Sequence, residues 1–443
     1  MLTHEEKVRA VAEQVKAHPQ GKGPATFAKK SISHFVPNAF RAKPDVAPIN
    51  LRPLDAILEI DVEGRRCVAE SGVTFVELAK KTLAHGLMPY VVPELKGITV
   101  GGAVSGCSLE SLSYRHGGFH DSCLEYEVVT GAGDVLICSR EEDPELFEMV
   151  HGSYGTLGIL TKVTFRLVPA KPYVHMEYLS YDNFEDYWAA LKKACEDGDD
   201  ETLLDGIIHN PRKFVLCKGR LVDKAPYVNS YEWLNVFYKS TIKRQEDYLS
   251  THEYFFRYDT ECHWLSRTMP GLETKPGRLL LGKLLLGSEN LITWSNRLAP
   301  LFRFQRRPDV VVDVFIPSPR FPEFFRWYAE SFDFWPLWVV PYRLPAFYPW
   351  LSKEHQKKMG DRFVIDCAVY GRPNSEKNVD YSELMEKKVY ELGGIKTLIS
   401  RNHYDRETFW SIYDKPGWTA VKERTDPRNL FGDLYEKMHP TER

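Results

Sequence analysis

The chain lacks most of the features that place a sequence quickly. It has no run of eighteen apolar residues, so no spanning helix is expected. Its eight cysteines, Cys67, Cys107, Cys123, Cys138, Cys195, Cys217, Cys262 and Cys367, are scattered and contain no C-x-x-C pair. That pattern speaks against structural zinc or a disulfide framework and for free thiols in a reducing, cytoplasmic setting. The first residues, MLTHEEKVRAVAEQVKAHP, are charged and helical in pattern, unlike a signal peptide. An excess of one charge is also missing: the net charge is -3, which gives no reason to expect nucleic-acid binding. G-x-G-x-x-G, G-x-S-x-G and H-E-x-x-H are all absent. A Rossmann site, an esterase-type nucleophile and a zinc peptidase are therefore unsupported, and no compact metal-ligand set occurs. There is no internal repeat and no low-complexity linker.

What is present is a chain of 443 residues, 43% apolar and 27% charged, long enough for two or more domains. Aromatic residues make up 13%, which favours large apolar pockets or interfaces. The most unusual stretch runs from Pro93 to Ser111, where Gly101, Gly102 and Gly106 stand among small hydroxyl residues. Glycines of this kind let the backbone turn tightly and lie against a ligand, and the N–H groups of such a loop can hold phosphate oxygens. A close-packed turn with no ligand reads equally well from this stretch alone. A second glycine set, Gly152 to Gly158, follows another strand-like run.

Periodicity predicts a helix over 5–17, strands over 56–61 and 66–70, and a helix after Thr74 that ends near Gly86. A hairpin turning at Gly133 and a strand over 160–167 complete an α+β set in the first 170 residues. Further strands are expected over 176–179, 203–208, 213–217, 310–316, 338–342 and 363–370. Within the last of these, Asp366 faces away from its apolar neighbours Ile365 and Cys367. The run from Leu279 to Leu286 is too short to span a bilayer. With Trp294 and the basic Arg303, Arg306 and Arg307, it reads as a packed helix or as a segment lying at a membrane surface.

Taken together, these motifs resemble the FAD-binding oxidoreductases of the p-cresol methylhydroxylase (PCMH) and vanillyl-alcohol oxidase fold, nearest to the delta(24)-sterol reductase branch. Thr99-Val100-Gly101-Gly102 is similar to the family's T-V-G-G segment, and Pro93-Glu94-Leu95, Gly106, Glu110-Ser111 and Tyr114-x-x-Gly117 extend the match. Gly155-Thr156-Leu157-Gly158 looks like its second FAD loop. Fainter similarities run through Tyr254 to Arg257, Trp335 to Trp338, Asp366 to Gly371 and Asp405 to Trp410, so the resemblance spans nearly the whole chain.

The resemblance implies an α+β architecture: a bipartite PCMH-type FAD domain (1–170), an α+β substrate cap (171–395) and a C-terminal segment returning to the FAD domain (396–443). It implies FAD held by Lys30, Ser31, Ser33 and His34, by Thr99, Val100, Gly101, Gly102, Gly106, Ser108, Glu110 and Ser111, by Gly155, Gly158, Ile159 and Thr161, and by Lys422. Members that attach FAD through histidine carry Arg-x-Gly-Gly-His, where this chain has Lys30-Ser31-Ile32-Ser33-His34, so non-covalent FAD is expected. The implied reaction is NADPH-dependent reduction of a carbon–carbon double bond in an apolar, lipid-like substrate. Tyr404, Asp366, Tyr370 and His403 are the candidate acids, and Arg257 is a candidate for orienting substrate or balancing flavin charge. An FAD oxidase or dehydrogenase of an alcohol or sugar-derived substrate is the alternative, and a flavin- or lipid-binding module without turnover is the non-enzymatic one. Peripheral membrane attachment and the oligomeric state stay open.

Overall fold

The charged N-terminal segment folds as the helix His4–Ala17, closed at its start by reciprocal bonds between Thr3 and Glu6. It is fastened by charge: His4 reaches Glu70 and Glu127 at 2.8 Å each, and Lys7 reaches Glu70 at 2.8 Å. The computed structural model describes residues 2–21, 24–31, 46–268, 271–290, 293–294 and 309–439. Ser33, His34, Arg303, Arg306 and Arg307 lie outside the described residues.

A parallel pair, β1 (Phe27–Ala28) and β2 (Ile49–Asn50), precedes the first large sheet. That sheet contains β3 (Ile57–Asp61), β4 (Arg66–Glu70), β5 (Leu87–Pro89), β6 (Cys123–Val129), β7 (Val135–Ser139) and β8 (Ile159–Pro169). Its order is β3-β4-β8-β6-β7, with β5 also paired to β8. The long β8 is the spine, bonded to β4, β5 and β6, and its inward residues Val163, Phe165 and Leu167 are buried.

The second sheet has eight strands: β9 (Tyr173–Tyr181), β10 (Thr202–Asn210), β11 (Lys213–Val222), β12 (Glu246–Ser250), β13 (Val310–Pro317), β14 (Leu337–Arg343), β15 (Phe363–Arg372) and β16 (Ile395–Lys396). Their order is β12-β9-β11-β10-β14-β15-β13-β16, and the neighbouring strands pair antiparallel. Helices and two sheets in this mixture make the fold α+β.

Register decides which side chains can meet. In β15, Asp366 lies opposite Phe315 of β13 and Val340 of β14, and Ala368 lies opposite Asp313 and Trp338. Residues directly opposite share a face, and so do residues two apart along a strand. Asp313, Phe315, Trp338, Asp366 and Tyr370 therefore project from one face of the central strands. All eight cysteines are unpaired.

The glycine stretch departs from the tight turn read in the sequence. It forms the helix Val100–Ser105, whose N-cap Thr99 accepts the Gly102 N–H at 3.2 Å. Its glycines serve close packing: a Cβ on Gly101 would stand 2.7 Å from Ser71 Cβ and 3.1 Å from Ser71 O. The Gly101 N–H is already bonded to Ser71 O at 2.8 Å, so this helix is held against the β4–helix turn by its own backbone.

Candidate active site

Between the two sheets runs a cleft whose widest part has about 1190 Å³ of free space. One wall is the glycine segment, contributing Thr99, Gly102, Gly106 and Ser108. The facing wall is the strand face just described, with Asp313, Phe315, Trp338, Asp366 and Tyr370. The cleft continues past Thr99 and Gly102 into a part of about 760 Å³ lined by Lys30, Ser31, Gly101, Gly155, Gly158 and Ile159.

That narrower part has the chemistry a diphosphate needs. Lys29, Lys30 and Arg52 bring positive charge, Ser31, Thr99, Ser105 and Ser153 bring hydroxyls, and Asp55 is paired with Lys30. Gly155 has φ +75°, a backbone region that side chains rarely adopt, and lets the second loop turn beside Phe27. Gly158 lies where a Cβ would sit 2.4 Å from Val128 Cγ1. The residues thus fit a long dinucleotide cofactor: a cationic, hydroxyl-rich part joined to a wide aromatic part.

Gly101→Val is expected to push the Val100–Ser105 helix away from Ser71 and so open this cradle. Flavin absorbance per protein after gel filtration should fall at least about tenfold, the equivalent of about 1.4 kcal/mol in cofactor affinity, with far-UV circular dichroism unchanged.

The wide part contains an unusual acid cluster. Asp366 is 2% exposed, and its Oδ1 has no hydrogen-bond partner. Burial raises its carboxyl well above the usual range, and the neighbouring Asp313 and Glu94 charges push it further the same way. Burial likewise pushes Asp313 up to about 7, with Glu94 adding to it. The Tyr370 hydroxyl donates to Asp313 Oδ1 at 3.4 Å, and its ring stacks on His263 at 4.0 Å. For Glu94 burial alone would raise the carboxyl, but the His263 contact at 3.1 Å outweighs it and holds the group below its ordinary value. The cluster thus sets one carboxyl held low, Glu94, beside two held high, Asp313 and Asp366. Such an acid, buried against aromatic rings, is a proton source.

Other residues singled out from the sequence sit elsewhere. Val100 is in the core. Glu110 and Ser111 turn towards the second sheet: Glu110 pairs with Arg257 at 2.8 Å, and Ser111 O accepts from Leu204 N at 3.0 Å. Arg257 is fully buried between Glu110 and Asp205 rather than lining the cleft. Thr161 donates to Glu127 at 2.6 Å, on the side of the N-terminal helix. Lys422 spends its three protons on Thr156 O, Gly432 O and Asp426 at 2.7, 2.8 and 2.7 Å, pinning the second glycine loop to the C-terminal segment. His403 bonds Ser382 at 2.6 Å, and Tyr404 reaches Glu386 O at 3.4 Å, both against the helix Tyr381–Glu391.

The cleft residues that sequence reasoning passed over as functional are Asp313, Trp338 and Arg52. Asp313 carried a visible signal, a lone acid in the run Val310 to Ile316, the same pattern that drew attention to Asp366.

Comparison with known proteins agrees with this geometry. Residues 3–139 match the family described as FAD binding domain. The human delta(24)-sterol reductase is 26% identical over an alignment covering 98% of this chain and 86% of that protein. The enzyme of the same name from Arabidopsis thaliana is 24% identical, covering 98% and 84%. Cytokinin dehydrogenase 2 of Oryza sativa subsp. japonica is 35% identical over 113 residues, 26% of this chain.

Proposed function

Starting from a FAD-dependent oxidoreductase with a PCMH-type flavin domain, we propose that this chain reduces a carbon–carbon double bond in an apolar, lipid-like substrate with electrons from NADPH. The observation that supports this reading is Asp366: a buried acid, its carboxyl pushed well above the usual range, with an unbonded oxygen in a cleft otherwise rich in aromatic surface. FAD, which the glycine segment and the Lys30–Ser31 side of the cleft would hold, would supply the hydride for one alkene carbon, with NADPH as the electron source. Asp366 gives its proton to the other carbon and recovers one from solvent, so the substrate gains two hydrogens and NADPH loses a hydride. Burial, with Asp313 and Glu94 nearby, keeps the surroundings of Asp366 unfavourable to charge before transfer. Trp338 and Phe315 form apolar surface that excludes water from the reacting carbons.

In the same reading the flavin half comprises 1–170 and 396–443 and the substrate half 171–395. The first sheet ends at Pro169, the second begins at Tyr173, and the Lys422 bonds carry the C-terminal segment back to the Thr156 turn.

The test is anaerobic addition of NADPH to the purified yellow protein, then of an alkene-bearing lipid. Bleaching by NADPH and recolouring by the alkene are expected. Bleaching by alcohols but not by NADPH would replace this reading with an alcohol dehydrogenase or oxidase, and bleaching by dithionite alone with a binding module.

Peripheral attachment to a lipid surface belongs to the same proposal. Among the described residues no helix is long and apolar enough to cross a membrane. The helix Lys275–Leu285, however, exposes Leu279, Leu280 and Leu281, with Leu280 81% exposed. Co-sedimentation with anionic vesicles should fall several-fold in the variant Leu280→Glu with no change in NADPH bleaching.

A further inference from the structure

A second set of buried polar side chains gathers around the turn Phe119–Ser122, which leads into β6. His120 and His151 are both buried, with ring centroids 4.8 Å apart. Among the described residues, neither nitrogen of His120 nor Nδ1 of His151 has a hydrogen-bond partner. Burying polar atoms unmet is costly, and nothing in the flavin cradle or the acid cluster accounts for these two rings. An imidazole with both nitrogens unengaged can take a proton on one side and give one from the other. Gly118 leaves the space for it, since a Cβ there would stand 2.7 Å from His120 Nδ1.

From this pair a row of titratable groups runs both ways. Towards solvent, His151 Nδ1 lies 3.5 Å from Oε2 of the partly exposed Glu148, and Glu148 lies 3.7 Å from the exposed Arg140. Towards the cleft, His120 Nε2 lies 3.5 Å from Asp121 Oδ2. That oxygen accepts from the Tyr348 hydroxyl at 2.6 Å and from the Gly118 N–H at 2.7 Å. The Tyr348 and Tyr342 hydroxyls are in contact with each other. Both tyrosines line a side chamber of about 580 Å³ that shares Gly106, Cys107 and Phe315 with the wide part of the cleft. The row thus joins a solvent-facing carboxyl to the interior of the site.

We propose that Glu148, His151, His120, Asp121, Tyr348 and Tyr342 form a proton relay between solvent and the cleft, and that it recharges Asp366 after each transfer. One proton passes per cycle. Asp121 gives its proton to the Tyr348 oxygen, Tyr348 gives its own to Tyr342, and Tyr342 releases one into the chamber. The arrangement left behind has Tyr348 donating to an ionised Asp121, the bond the structure shows. Solvent then reloads Asp121 through Glu148, His151 and His120, where small ring rotations bring donor and acceptor within reach. The inner end is well placed: Tyr342 lies opposite Val364, two residues along β15 from Asp366 and on the same face, roughly 7 Å along the strand and a span for bridging water. Asp121 is suited to exchange, since burial pushes its carboxyl up to about 7 against the pull of Tyr348 and the Gly118 N–H. The titratable and charged groups around it are His120, Tyr126, Tyr342, Tyr348, Cys107 and Cys123, with Arg140 and Glu148 on the solvent side. Inward flow rests on the proposed function. The relay itself requires only a flavin reaction that moves protons in or out of the cleft.

The test compares two ways of reducing the holoprotein under anaerobic stopped flow. Dithionite brings electrons without hydride, so the proton that accompanies them comes from solvent, whereas NADPH brings hydride and needs no such proton. Tyr348→Phe keeps the ring and its stack on Trp350 but has no proton to pass. It should slow bleaching by saturating dithionite roughly 10²-fold and leave bleaching by NADPH unchanged. His120→Ala should show the same slowing and recover in added imidazole, which a purely structural histidine would not do. The infrared difference between wild type and Asp121→Asn should contain a carboxyl titrating at about 7, and in Tyr348→Phe that midpoint should rise, because the tyrosine bond holds it down. An unchanged dithionite rate in Tyr348→Phe overturns the relay, as does equal slowing with both reductants, His120→Ala without recovery in imidazole, or an Asp121 carboxyl titrating in the ordinary range. Wild-type protein that NADPH does not bleach removes the reductase reading, while the dithionite and infrared comparisons still decide the relay.

Discussion

Asp366→Asn should leave reduction of the bound flavin by NADPH at its wild-type rate while slowing reoxidation by the alkene roughly 10²- to 10⁴-fold, the usual cost of removing a general acid. The asparagine keeps the shape of the neutral acid and its place opposite Phe315 and Val340, but it has no acidic proton. Anaerobic stopped-flow separates the two half-reactions, and full-speed reoxidation in the variant would remove Asp366 from the mechanism. Tyr370→Phe serves as the control, since it keeps the His263 stack and deletes only the hydroxyl on Asp313.

The same acid predicts a pH dependence with a definite sign. Asp366 faces Asp313 on β13, Glu94 on the facing loop and Tyr370 on its own strand, with Cys262 near Tyr370 and His263 against Glu94. Burial, Asp313 and Glu94 all raise its pKa, so the acid keeps its proton to higher pH than an ordinary carboxyl and reoxidation should fall as pH rises through that pKa. In Asp313→Asn one of these contributions is gone, and the alkaline limb should move to lower pH. Stability follows the same direction. A carboxyl whose folded pKa lies above its unfolded value stabilises the fold fully below the unfolded pKa, and that contribution is lost as pH rises through the folded one. For Asp313 the window runs from about 4 to about 7. The melting temperature of the holoprotein should decline across it, and decline less in Asp313→Asn.

Local pattern revealed what is local. Strand alternation marked Asp366 as facing away from an apolar layer, and the structure shows that the side it faces is the cleft. The glycines of the first loop were visible, but their use was not. A hydroxyl at Thr99 and the approach to Ser71 make a helix from residues whose propensities favour a turn. Partners far apart in the chain leave no trace in spacing. Lys422 meets Thr156 across 266 residues and Arg257 meets Glu110 across 147, so both looked available for a ligand while each is engaged in holding distant segments of the chain together.

Arg257→Met should therefore act on stability before it acts on substrate. The guanidinium joins Glu110, at 2.8 Å from the glycine segment, to Asp205 of β10 at 3.2 Å, and also donates to Tyr254 O at 2.9 Å. Asp205 Oδ2 in turn accepts from Tyr258 at 2.7 Å and from the indole of Trp338 at 2.8 Å, so the arginine indirectly positions a ring of the cleft wall. Removing the cation strands two buried carboxyls, a loss of roughly 3–5 kcal/mol. The melting temperature should drop by several degrees, and Glu110→Gln in the same background should recover part of it by removing one stranded charge. The pH dependence identifies the cause. Burial already raises the Glu110 carboxyl and Arg257 opposes that rise, so without the arginine it rises further. A raised carboxyl favours the fold at low pH, so the deficit of Arg257→Met should be smaller at pH near 5 than at pH near 8. A variant with an unchanged melting temperature and a raised KM would instead place Arg257 against the substrate.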